Sequence, residues 1–289
     1  TYGHTYFLEE EINSYLYRVL KVEVGKETVD EAYYSLLNDG LVVIRDERLY
    51  LSEMYEAETL IASRLRMLAH EEKISYKNLD EKIKEIETHY GIVYTDEQLE
   101  AIRLALTSKV AIITGGPGTG KTTILKGILD LYKILIASNK LRLEEQIALL
   151  APTGRASKRM SEVTGVEAST IHRFLRWNKE ANRFQINEYN KSSVSFVIID
   201  EASMIDTQLL ANLLKGLSAS CHIVFVGDAN QLPSVAAGDV LNDMIESKEI
   251  PVYALKNWHR QGTDSAIIPF AHKINEGILD EGLLNSKED

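Results

Sequence analysis

Val110-Ala111-Ile112-Ile113-Thr114-Gly115-Gly116-Pro117-Gly118-Thr119-Gly120-Lys121-Thr122 decides how the rest of this 289-residue chain is read. A short apolar run enters a glycine-rich turn that ends in lysine and threonine. The helical stretch Thr123-Ile124-Leu125-Lys126-Gly127-Ile128-Leu129 comes directly after it. Strand, turn and helix in that order are the context in which Gly-x-x-x-x-Gly-Lys-Thr cradles phosphate. The glycines let the backbone curl until its N–H groups face the anion, and the helix presents its positive end. Phosphate contacts are assigned to Gly116, Pro117, Gly118, Thr119, Gly120, Lys121, Thr122 and Thr123. Lys121 supplies a point charge at the β- and γ-phosphates, and the Thr122 hydroxyl suits Mg²⁺. A chance glycine-rich turn is the competing account, and the flanking strand and helix weigh against it.

Downstream, the apolar runs Ile147–Ala151, Phe196–Ile199, Ile223–Val226 and Val252–Leu255 alternate with amphipathic stretches. Such runs predict a parallel α/β sheet covered on both faces. Ligands bind at the C-terminal ends of strands in these sheets, so the residues at the exit of each run are the candidates for chemistry. Val197-Ile198-Ile199 delivers Asp200 and Glu201. Asp200 is suited to Mg²⁺ and Glu201 to activating a water molecule. Taken alone, the pair reads better as an acidic helix cap. Ile223–Val226 leads into Gly227-Asp228-Ala229-Asn230-Gln231-Leu232-Pro233, where the Gln231 amide can sense a γ-phosphate. An ordinary polar turn would look much the same.

Residues 1–93 read as a separate, small and mainly helical domain. Leu8–Leu20 and Thr28–Leu37 are short amphipathic helices, and Leu41–Ile44 with Leu49–Leu51 form a hairpin about Asp46-Glu47. Two helices and a β-wing resemble a winged-helix unit. Glu53–His70 and Leu79–Tyr90 continue as helices, with a boundary at His89-Tyr90-Gly91.

The formal charge of −11 argues against nucleic acid only until its distribution is examined. Up to Tyr94 there are 11 basic and 19 acidic residues, a net of −8, whereas Lys140–Lys191 holds 10 basic and 6 acidic, a net of +4. A locally basic surface therefore remains. The single cysteine, Cys221, excludes an internal disulfide framework and reads as a buried side chain. No apolar stretch is long enough to span a bilayer and no signal pattern opens the chain, so a cytoplasmic location without membrane contact is expected.

Six segments in order, GGPGTGKT (115–122), APTGRASKRM (151–160), STIHRFL (169–175), DEASM (200–204), GDANQLPSVAAGDVL (227–241) and NWHRQ (257–261), resemble superfamily 1 DNA helicases, most closely the RecD-like branch. The resemblance spans roughly residues 95–277. It implies a RecA-like P-loop fold, ATP and Mg²⁺ as ligands, ATP hydrolysis coupled to 5′-to-3′ movement on single-stranded DNA, and partners among DNA-repair or recombination proteins. It further implies that Gln98 reads the adenine edge and that Arg260 is an arginine finger. Thr153, Arg155, Thr170 and His172 fall where such helicases touch the single-strand backbone. They lie in the basic stretch among Phe174, Trp177, Phe184 and Tyr189, a pattern that suits phosphate tracking and base stacking. The aromatics read equally well as core. Residues 176–195 are expected to form a strand-separating hairpin.

On this reading 94–254 is the first motor domain and 255–289 the start of a second. The family's later motifs are missing, so the chain is expected to be an N-terminal fragment with weak or no turnover alone. A P-loop binding module that regulates without motor activity is the alternative, distinguished by the absence of stimulation by single strands.

Overall fold

Alternation within each apolar strand sends neighbouring side chains to opposite faces of a six-stranded sheet, and both faces are buried. In the computed structural model, which describes residues 3–8, 11–136 and 143–256, the N-terminal part contains β1 (Tyr6–Leu8), α1 (Ile12–Leu20), α2 (Lys26–Asn38), β2 (Val42–Arg45), β3 (Arg48–Leu51), α3 (Ser52–Ala69) and α4 (Leu79–Tyr90). β1, β3 and β2 form a small antiparallel sheet in that order. The predicted hairpin is present, with Arg45 opposite Arg48 at its turn. Leu8 belongs to β1 and not to the first helix, because Tyr6–Leu8 pairs with Arg48–Tyr50.

The larger unit comes next as α5 (Asp96–Thr107), β4 (Val110–Gly115), α6 (Lys121–Ile136), α7 (Leu143–Gln146), β5 (Ile147–Ala151), α8 (Gly154–Thr164), β6 (Ala168–Thr170) and α9 (Ile171–Phe174). It continues with β7 (Trp177–Asn178), β8 (Arg183–Phe184), β9 (Phe196–Ile199), α10 (Thr207–Gly216), β10 (His222–Gly227), α11 (Val240–Glu246) and β11 (Val252–Leu255). The parallel sheet has the order β11-β4-β10-β9-β5-β6. All five predicted strands are in it. The sixth, β6, is three residues at the edge and carries too few apolar positions to be read from pattern.

Ile112, Val197, Ile199, Ile223 and Phe225 enter one core, whereas Ile113, Ile198, Val224 and Val226 enter the other. This period of two, with both faces covered, is the packing a parallel sheet requires. Each such fully buried side chain contributes about 1.5–3 kcal/mol before entropy is counted. The first core also takes Ala57, Ile61, Leu65 and Leu68 from α3 together with Leu210, Leu213 and Leu214 of α10. The second takes Ile83 and Ile86 of α4 with Ile124 and Ile128 of α6. The N-terminal helices therefore straddle the sheet, one on each face. Arg64 of α3 donates to the carbonyl of Ser218 just past α10, and Gln208 Nε2 donates to Glu53 O at 3.0 Å.

Candidate functional site

The turn between β4 and α6 has its shape because two of its glycines have backbone angles that side chains resist: Gly118 at φ 81° and Gly120 at φ 88°. Thr119 is 1% exposed, and its hydroxyl donates to Gly116 O at 2.9 Å, so its side chain braces the loop from inside. Lys121 Nζ donates to the carbonyls of Gly115 and Gly116, the latter at 2.9 Å. The ammonium is thus already held over the loop.

Across the C-terminal edge of the sheet, β10 and β9 bring carboxylates to the same place. Burial pushes the Lys121 pKa down, opposed first by the charge of Asp228 and then by Glu201 and Asp200. Burial raises the carboxyl of Asp200. Glu201 is raised as well, by burial first and by its neighbour Asp200 second. Three acidic groups therefore act on one ammonium in a poorly solvated cleft, a charge pattern that suits an anion arriving with its own cation. The Thr122 hydroxyl and the Asp200 carboxylate are hard oxygen donors of the kind Mg²⁺ takes, and the raised carboxyl is one that a cation would stabilise.

A cavity of about 350 Å³ gathers these parts. Pro117, Gly118, Gly120, Lys121, Thr122 and Thr123 form its floor. Asp200, Glu201 and Gln231 line it from the neighbouring strands, and Gln98 reaches it from α5. Gly116 and the Thr119 side chain are not on its wall. Gln98 is 6% exposed because it closes a capping box: its N–H donates to Thr95 Oγ1 at 3.3 Å, and its Oε1 accepts from Thr95 N at 3.1 Å. Its amide nitrogen is left to meet a ligand.

Two residues of this cleft are not singled out by the sequence. Asp228 is 3% exposed, its Oδ1 accepts from Asn230 N at 3.0 Å, and its charge has the largest effect of those acting on Lys121, although it does not line the cavity itself. A signal for it exists, in a strand ending in Gly-Asp, but the nearby Gln231 is the more conspicuous polar group. Arg159 of α8 also lines the cavity, and only the packing of α8 beside α6 reveals this.

The residues assigned to single-strand contact lie farther along the same edge. Thr153 N-caps α8 after β5, its Oγ1 accepting from Ala156 N at 3.2 Å. Thr170 N-caps α9 after β6 in the same manner, from Arg173 N at 3.2 Å. Ala151 and Thr170 are register partners, so the two caps follow neighbouring parallel strands at the same end of the sheet. Each hydroxyl keeps its own O–H free to donate to a phosphate oxygen. Arg155 and His172 are exposed on the helices that these caps begin. Phe174 and Phe184 pack on the core, while Trp177 is 43% exposed against the edge of Phe184. The expected hairpin at 176–195 reduces to β7 and β8, two residues each. Arg260 lies outside the described residues, as does all of the stretch 255–289 except Leu255 and Lys256, and Leu255 closes β11 beside Gly115 of β4.

Among the described residues no helix is long and apolar enough to cross a membrane. Cys221 is buried, which pushes its thiol up to about 12.

Residues 93–288 match the family described as AAA domain. The ATP-dependent RecD2 DNA helicase of Deinococcus radiodurans is 31% identical over 256 residues, covering 89% of this chain and 34% of that protein. The RecD subunit of the RecBCD enzyme of Mycobacterium tuberculosis is 34% identical over 216 residues, covering 67% of this chain and 37% of its own length. The chain thus spans about a third of the curated relatives it matches. Among solved structures, the Pif1 helicase of Candida albicans superposes with a TM-score of 0.50 at 23% identity, over 66% of this chain and 46% of that one. That likeness is one of fold.

Proposed function

The chain belongs to the AAA-domain family, and from that premise we propose that it is the ATP-binding first motor domain of a RecD-type DNA helicase, preceded by an accessory N-terminal region. The observation that carries this is the convergence of Lys121, Asp200, Glu201 and Gln231 on one cavity at the strand ends. In the proposed reaction water attacks the γ-phosphorus in line as its bond to the bridging oxygen breaks, and ADP departs with that oxygen opposite the attacking water. Glu201 orients the water and accepts its proton, and Lys121 offsets charge on the phosphoryl oxygens. Gln231 registers whether the terminal phosphate is present. Thr122 and Asp200 are the proposed Mg²⁺ ligands. Bound there, the ion would neutralise charge across the β- and γ-phosphates.

Single-stranded DNA is the proposed track, held at Thr153, Arg155, Thr170 and His172 on the edge that also carries the nucleotide cleft. Movement from 5′ to 3′ and assembly with recombination proteins are proposed from the RecD-like resemblance. The test is ATP hydrolysis by the intact protein that carries this chain, with Mg²⁺ and with and without a single-stranded oligonucleotide. Stimulation by the oligonucleotide, lost in Lys121→Ala, is the expected result. Undiminished turnover in that variant would overturn the assignment.

A further inference from the structure

α8 contributes more to the nucleotide cleft than its place in the sequence suggests. It packs beside α6 on the β5 and β6 side, while α5 packs beside α6 on the β11 side. The two helices therefore flank the N-terminus of α6 from opposite directions. The cavity crosses that N-terminus, with Gln98 of α5 and Arg159 of α8 both on its wall. A nucleotide whose base lies at Gln98 and whose phosphates track the loop carries its terminal phosphate toward the side shared by Arg159, Asp200 and Glu201.

Arg159 has the features of a ligand group. Its positive charge bears on Lys121, Asp200 and Glu201 alike, lowering the pKa of each. Among the described residues no hydrogen bond or ion pair occupies its guanidinium. A planar fork of five donors on the wall of a cavity shared with two carboxylates and an ammonium matches a phosphoryl group that brings further negative charge. Val163, one turn on, lines the same cavity, so this face of α8 is directed at it.

We propose that Arg159 is a γ-phosphate ligand supplied by the first motor domain itself, so that the cleft distinguishes ATP from ADP without relying on Arg260. This rests on the cavity being a triphosphate site.

The test is calorimetric titration of the protein with Mg²⁺ and either ATPγS or ADP. Arg159→Ala is expected to weaken ATPγS binding by about 10- to 100-fold, the usual effect of losing a charge-assisted hydrogen bond, with ADP affinity nearly unchanged. Arg159→Lys, which keeps the charge and loses the fork, should recover part of the loss. Equal loss for both nucleotides, or none for either, overturns the proposal. Should the alanine variant melt early, Arg159→Gln carries the same comparison. If the unaltered protein binds neither nucleotide, the triphosphate site itself is refuted and the proposal falls with it.

Discussion

The backbone N–H of Glu201 donates to Oδ1 of Asp200 at 2.9 Å, and Glu201 itself sits in the left-handed region at φ 53°, ψ 43°. For a residue other than glycine that conformation costs on the order of 1 kcal/mol, and it persists where surrounding structure imposes it. Here the turn directs two adjacent carboxylates into one cleft. One is tied to the backbone, and the other is left available for chemistry.

Glu201→Gln should therefore keep nucleotide binding while lowering turnover by about 100-fold or more, the usual contribution of a general base. Parallel binding titrations and steady-state hydrolysis assays would check this. Hydrolysis at the unaltered rate would move the base elsewhere.

Arg155→Ala should weaken single-strand binding and reduce the slope of log affinity against log salt by about 1, since one phosphate contact is removed. Fluorescence anisotropy with a labelled oligonucleotide at several salt concentrations reads both. An unchanged slope would place Arg155 outside the groove.

Thr95→Ala opens the capping box at the start of α5. The expected cost is about 1 kcal/mol, seen as a small drop in melting temperature. It also frees Gln98 to rotate. Discrimination between ATP and GTP should change in the same variant, and unchanged selectivity would separate Gln98 from the base.

His222 gives a pH prediction. It is buried, its Nε2 lies 2.7 Å from Ala105 O, and burial lowers its pKa to about 4. The unfolded chain takes up this proton near pH 6.5, whereas the folded chain resists it until about pH 4. Stability from this group is thus complete above pH 6.5 and declines as pH falls toward 4, by about 3 kcal/mol in total at the order-of-magnitude level. Denaturation midpoints for the native protein and His222→Leu at pH 7 and pH 5 should converge toward acid. Parallel midpoints would refute the linkage.

How much of this could be read in the residues depended on what each feature requires. Strands buried on both faces must be apolar throughout, so β4, β5, β9, β10 and β11 were legible. β6, with Ser169 and Thr170 at an edge, did not have to be. The phosphate loop was legible because its glycines are demanded by backbone angle. Arg159 was not, since its role depends on which helix lies beside α6. An amphipathic pattern marks a buried face on α3 but does not say what covers it.

What covers it is the six-stranded sheet together with α10. α3 lies on one side of the sheet with α10, and α4 lies on the other with α6. The stretch 70–78 passes between them, anchored where Ile74 N donates to Thr107 O at 2.7 Å. A protease that nicked this crossing would liberate nothing. Both halves would stay clasped to the same slab through buried leucines and isoleucines, and would travel together until denaturant pulled them apart.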